Sequence, residues 1–305
     1  MTNTRQIAFG YSTQCNIKCD HCVAADELSR NVKMDLSRAK AIIEEMSHYN
    51  VTGISFTSGE PLLFFDDIRD LVQICKKNGI YSRIVTNGYW AKTKEHSDNI
   101  VSELMLSGLS QLRISYSRWH QKNINRENIV NAASSCQKYG LNYFISFVTD
   151  FSIQDDSFEK FLRDNNLKFF PEPVIYFGRA ERFDRPRIFT DYHPNMCPMN
   201  PYLSPELDMF ACCDGGNSFT ETNFLYLGNL KDHNIGELFH KKERNILFYL
   251  INTMGLTTIA SYLGFKASEI VKYRKCELCE ELFNSAENLS ILEKSAKEDL
   301  LNWTR

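Results

Sequence analysis

Residues 7–22 read Ile-Ala-Phe-Gly-Tyr-Ser-Thr-Gln-Cys-Asn-Ile-Lys-Cys-Asp-His-Cys, an apolar run that passes directly into three cysteines. Ile7–Ser12 has the composition of a short buried strand. Cys15, Cys19 and Cys22 follow, with three and then two residues between them. At that spacing one loop can wrap three thiolates around one face of a cubane cluster, for which cysteine thiolates are the usual ligands. A four-iron cluster with three protein ligands leaves one iron open, and an open metal position is where a substrate or cofactor binds. The competing reading of the same loop is a structural zinc site made from Cys19, Cys22 and His21, with Cys15 as fourth ligand. His21 adjoins Cys22 too closely to be a comfortable co-ligand.

Outward from this loop, short apolar runs alternate with longer amphipathic ones. Strands are predicted at Ile7–Ser12, Gly53–Thr57, Ser82–Thr86, Gln111–Tyr116, Tyr143–Val148 and Pro173–Phe177. Helices are predicted at Ser37–Tyr49, Phe65–Asn78, His96–Ser107, Arg126–Tyr139 and Asp155–Asn165. Asp35 is placed to start the first helix, while Gly79, Gly108 and Gly140 follow three of them as stop signals. Repeated strand–helix units imply parallel strands joined by right-handed crossovers. Six units are too few for a closed eight-fold barrel, so an open α/β, partial (β/α)6 TIM-like barrel is expected. Chemistry in such barrels collects at the C-terminal ends of the strands.

After Ala180 the pattern changes to a proline-rich, irregular stretch, RFDRPRIFTDYHPNMCPMNPYLSP. A boundary near residue 185 divides the chain into a barrel, 1–185, and a second domain, 186–305. Residues 246–265 carry no formal charge and are long enough to span a bilayer. Polar residues from Asn252 to Ser261 interrupt that run, and two short buried helices hinged near Gly255 are expected instead. The net charge of −3, without blocks of like charge, offers no electrostatic case for nucleic acid or an anionic membrane. The start, MTNTRQIAFGYS, lacks the basic-then-apolar layout of a signal peptide, so a cytoplasmic location is expected.

Closely spaced cysteines without an export signal read as metal ligands rather than disulfides. Cys75 and Cys136 stand alone in helical segments and read as small core residues. Cys197, one of the adjacent pair Cys212-Cys213, and the Cys276-Glu-Leu-Cys279 element reach a count of four, enough to close a metal site. Composition alone leaves iron–sulfur and zinc both open for this second set.

The Cys15/Cys19/Cys22 loop after a first barrel strand resembles the signature of the radical S-adenosylmethionine (SAM) superfamily, with His21 as the aromatic-type residue before the last cysteine. The resemblance implies a [4Fe–4S] cluster whose open iron binds the amino and carboxylate groups of SAM, and reductive cleavage that releases a 5′-deoxyadenosyl radical. It implies an electron donor such as flavodoxin or ferredoxin. Thr57-Ser58-Gly59-Glu60-Pro61 looks like the family's glycine-glycine-glutamate element for the cofactor's ammonium group, with Ser58 in place of the first glycine. Thr86-Asn87-Gly88 and Ser115-Tyr116-Ser117 resemble positions near the ribose and methionine, and Gly178-Arg179-Ala180-Glu181 the segment along the adenine. Arg118 and His120 are further candidates for contact with cofactor or substrate.

The C-terminal half resembles the auxiliary-cluster extensions called twitch and SPASM domains, in the one-cluster form. Together with Phe-Asn-Ser-Ala-Glu at 283–287, it looks like the epipeptide type of radical SAM peptide epimerase. That likeness implies two [4Fe–4S] clusters, the second on Cys197, Cys212, Cys276 and Cys279, and a ribosomally made precursor peptide as substrate. It also implies L-to-D epimerisation, with Cys213 returning a hydrogen atom to the Cα radical. Thioether or carbon–carbon crosslinking of a peptide, and radical dehydrogenation of a small molecule, are the alternatives.

Overall fold

The computed structural model describes residues 4–23, 31–185, 196–216 and 221–303. In chain order the first part runs β1 (Arg5–Gly10), α1 (Leu36–Ser47), β2 (Val51–Thr57), α2 (Phe65–Lys77), β3 (Tyr81–Thr86) and α3 (Lys94–Ser107). It continues with β4 (Gln111–Tyr116), α4 (Arg126–Tyr139), β5 (Tyr143–Thr149), α5 (Asp156–Asp164) and β6 (Phe169–Pro173). The six strands pair in parallel in the order β6-β5-β4-β3-β2-β1, the layout of a partial TIM-like barrel.

Local chemistry explains why the helices start and stop where they do. The Asp35 carboxylate accepts from the Arg38 N–H at 2.9 Å, Thr93 caps α3 through the His96 N–H, and Asn125 caps α4 through the Glu127 N–H. Gly108 and Gly140 end α3 and α4 at φ of 97° and 71°, a left-handed turn that glycine enters without a Cβ clash.

The two faces of the sheet differ in size and polarity. Ile7, Phe9, Ile54, Phe56, Ile84, Ile114 and Phe147 are fully buried beneath the helices. The opposite face carries Ala8, Gly53, Ser55 and Ser115, too small to fill the concave side, and a cavity remains there. Cys75 and Cys136 lie in the helix-side core, as expected of small apolar residues.

One strand differs from expectation. The sixth was predicted at Pro173–Phe177 and is found at Phe169–Pro173. β6 is the sheet edge and is largely exposed, so it needs no apolar run and tolerates prolines whose missing N–H faces solvent. The apolar segment that follows leaves the sheet, and Val174 and Tyr176 pack against Cys19 and Trp119 under the cysteine loop.

Beyond the proline-rich stretch, whose residues 186–195 lie outside the described residues, β7 (Tyr202–Leu203) pairs in parallel with β1 at Ala8 and Phe9. β8 (Asp208–Phe210) and β9 (Tyr226–Asn229) add antiparallel strands, extending the sheet to nine. Helices α6 (Ile235–Arg244), α7 (Ile246–Thr253), α8 (Leu256–Tyr262), α9 (Ala267–Ile270), α10 (Lys275–Phe283) and α11 (Ala286–Trp303) complete the chain. The uncharged stretch forms α7 and α8, hinged at Gly255 with φ 83°; their buried faces include Phe248, Ile251 and Ile259. Among the described residues, no helix is long and apolar enough to cross a membrane. α11 packs on α7 and α8, with Leu292 and Ala296 fully buried.

Candidate active site

The concave face of the sheet encloses a cavity of about 570 Å³, large enough for a nucleoside-sized cofactor together with part of a second molecule. Cys15, Cys19 and Cys22 line its rim, and Ser58, Gly59, Glu60, Asn87, Ser115 and Arg179 line its walls. The strand-end positions picked out in the sequence therefore converge on one space. The cysteine loop is held from below: the Arg179 N–H donates to the Cys22 carbonyl at 3.0 Å, and Arg179 Nε donates to the Cys19 carbonyl at 2.7 Å. Gly178 makes this approach possible. A Cβ there would stand 2.4 Å from the Val23 carbonyl oxygen, on a backbone with φ of 58°.

Glu60 ties the ends of two strands to the cysteine loop. Its N–H donates to the Gln14 carbonyl at 2.7 Å, and Gly59 is required because a Cβ would lie 2.1 Å from that same oxygen. The buried carboxylate accepts from Leu62 N, Thr86 Oγ1 and Asn87 N at 3.1, 2.8 and 2.7 Å. Burial pushes its pKa up to about 7 against the pull of those donors. Asn87 Nδ2 donates to Asn16 Oδ1 at 2.8 Å, so this side chain also braces the loop between Cys15 and Cys19. Ser58 occupies the left-handed region at φ 69°, and its buried Oγ has no hydrogen-bond partner.

His21 stacks on Trp119 with ring centroids 4.8 Å apart and meets His120 edge-on at 4.7 Å. Burial holds the His21 imidazole well below its ordinary pKa and in the neutral form; its Nδ1 has no hydrogen-bond partner. Cys19, His21 and His120 bring one ligand atom each within 4.8 Å of one another, a different trio from the zinc set considered above. Ser117 Oγ occupies His120 Nδ1 at 2.8 Å. Arg118 plays no part in the cavity: it is ion-paired to Asp150 and Asp155 and lies 4.1 Å over the Trp119 ring.

A second cavity, of about 500 Å³, lies behind the first and is lined by Cys197, Cys212, Cys213, Cys276 and Cys279. Cys276 and Cys279 occupy the first turns of α10, where a spacing of three puts both on one face. Burial pushes the Cys212 thiol up to about 12 and raises those of Cys276 and Cys279 well above the ordinary value, so a cation is needed to hold thiolates there. Cys213, Asp214 and Asn200 line both cavities.

The Radical SAM superfamily sequence model matches residues 11–164, half of the chain. The chain belongs to the radical SAM superfamily. A relative from Bacillus subtilis named "Putative peptide biosynthesis protein YydG" is 21% identical over 306 residues, spanning 94% of each chain. PqqA peptide cyclase of Gluconobacter oxydans is 28% identical over 76 residues, covering 25% of this chain and 21% of that protein. The structure of BtrN in complex with AdoMet and 2-DOIA superposes with a TM-score of 0.52 at 14% identity, covering 82% of this chain and 87% of that one. That likeness shows the shared fold.

As a radical SAM enzyme the chain uses SAM and at least one [4Fe–4S] cluster. The first cavity fits both: three cysteines stand at its rim, and an unpartnered serine hydroxyl and imidazole nitrogen face buried space. Sequence reasoning missed Arg83, Arg113 and Glu172 in the first cavity, and Asp214 and Asn200 between the two. The signal for the first three was a charged residue in the middle of each of β3, β4 and β6.

Proposed function

We propose that this radical SAM enzyme modifies a ribosomally synthesised peptide by L-to-D epimerisation. The observation that carries the reading is Cys213, which faces the cofactor cavity on one side and the cysteine-lined cavity on the other. The relative that spans 94% of both chains, named for peptide biosynthesis, supports a peptide substrate.

Cys15, Cys19 and Cys22 hold the first cluster in this reading. His21, Ser58, Gly59, Glu60, Asn87, Ser115, Gly178 and Arg179 form the cofactor's surroundings. Cys197, Cys212, Cys276 and Cys279 hold a second [4Fe–4S] cluster in a twitch/SPASM-like domain, 186–305, beside a barrel of 1–185. A flavodoxin- or ferredoxin-type donor in the cytoplasm supplies electrons. When bound, SAM supplies the 5′-deoxyadenosyl radical that removes the substrate Cα hydrogen. Cys213 then gives its thiol hydrogen atom to the opposite face of that carbon. One proton and one electron from the external donor restore the thiol from the thiyl.

The test is anaerobic turnover in D2O with candidate precursor peptides taken from any short open reading frame beside the gene. Epimerisation leaves the mass unchanged in H2O and places one deuterium at the inverted Cα in D2O. Cys213→Ala should abolish the D-residue and retain 5′-deoxyadenosine formation. A product lighter by two hydrogens, formed equally by the variant, would replace epimerisation with crosslinking or dehydrogenation.

A further inference from the structure

The floor of the first cavity carries a group of charges that no step above uses. Arg83, Arg113 and Glu172 all line it, two guanidinium groups against one carboxylate. Arg113 Nη2 is ion-paired to Glu172 and donates to Ser146 Oγ at 3.0 Å; Ser146 Oγ donates in turn to Glu172 Oε2 at 2.5 Å. Arg83 Nε donates to the neutral Gln111 side chain at 2.6 Å. Both guanidinium carbons lie over the same ring, Phe144, at 5.6 and 5.8 Å. Arg113 Nε is buried and has no hydrogen-bond partner.

Two adjacent cations sharing one anion beside a concave space repel one another, and burial plus the charge of Arg113 lower the pKa of Arg83 accordingly. A carboxylate entering that space would relieve the repulsion, in the forked pairing geometry that guanidinium groups favour. Arg113 precedes Ser115 by two residues on the same face of β4, about 7 Å along the strand.

We propose that Arg83 and Arg113, balanced by Glu172, form a carboxylate-binding subsite that anchors the substrate on the cavity floor. This rests on the peptide reading for the identity of the substrate and on the geometry alone for the anion. The carboxylate is either an acidic side chain or a chain terminus.

Binding to the reconstituted holoenzyme separates these sources. The probes are three N-terminally dansylated random octapeptide pools, a label without a carboxylate, with N-acetylglutamate as a small-molecule probe. One pool has free C-termini and no Asp or Glu, one has amidated C-termini with Glu at random positions, and one is amidated without acidic residues. Retention of the first or the second pool over the third is expected. Arg113→Gln should weaken that retention by about tenfold. Glu172→Gln, which removes the competing carboxylate, should tighten it roughly threefold. Iron content at the wild-type value verifies that each variant folds, and Arg83→Gln substitutes for Arg113→Gln if that variant does not. Should N-acetylglutamate bind in an Arg113-dependent way while no peptide pool does, the anion subsite stands and the peptide reading falls. Equal retention of all pools, loss of retention in Glu172→Gln as well as Arg113→Gln, or no binding of any carboxylate probe overturns the subsite.

Discussion

The Asn87 N–H donates to Glu60 Oε2 at 2.7 Å, which fastens the end of β3 to the end of β2 directly beside the Cys15 loop. The contact lets one buried carboxylate answer for the position of two strand ends, while the Glu60 backbone N–H holds the cluster loop through the Gln14 carbonyl.

If the Glu60 carboxylate meets the cofactor's ammonium group, SAM binding depends on pH. Its carboxyl is raised from an ordinary 4.5 to about 7 by burial, so the folded chain favours the neutral form. Stability from that neutral form is fully present below pH 4.5 and is lost as pH rises through about 7. A cofactor ammonium needs the ionised form, so SAM affinity of the reconstituted enzyme should weaken about tenfold from pH 8 to pH 6. Equilibrium dialysis at the two values measures it. An unchanged affinity would mean that the Glu60 carboxylate does not meet the ammonium group.

Ser58 carries a strained backbone at φ 69°. Ser58→Gly should relieve roughly 1 kcal/mol and raise the melting temperature by about 2 °C. If the unpartnered Oγ reaches the cofactor, the same variant loses SAM affinity as it gains stability. Melting curves with and without SAM separate the two effects.

Gly178→Ala places a methyl group against the Val23 carbonyl and puts a side chain on left-handed backbone. The cysteine loop must shift or the segment must strain by about 1–3 kcal/mol. We expect the iron bound at Cys15, Cys19 and Cys22 to fall sharply, read by iron assay and by the cluster absorption band. Full iron retention would show that the Gly178–Arg179 clamp is dispensable.

Cys276→Ala and Cys279→Ala should each reduce iron from about eight to about four per chain after anaerobic reconstitution. Cys213→Ala should leave iron at the wild-type level, whereas Cys212→Ala should not. Zinc in the second cavity, with four irons in the wild type, would sink the two-cluster reading.

Much of this architecture is legible along the chain because its causes are local. Asp35, Gly108 and Gly140 mark helix ends through contacts within a few residues, and the cysteine spacings limit what one turn of chain can hold. β6 was misplaced because an exposed edge strand carries no apolar signature, while the apolar Val174 and Tyr176 serve the packing beneath the cysteine loop instead.

From the sequence by itself come the strand–helix alternation, the thiol triplet at the end of β1 and the count of cysteines that can close a second site. These follow from periodicity and from covalent distance. That Cys213 faces two cavities, and that Arg83, Arg113 and Glu172 share one floor, was decided only in three dimensions. β7 must find β1 across nearly two hundred residues before Cys213 can reach the cofactor cavity. Such pairing is selected by the total burial and hydrogen bonding of the assembled sheet, which leaves no mark on the residues nearby.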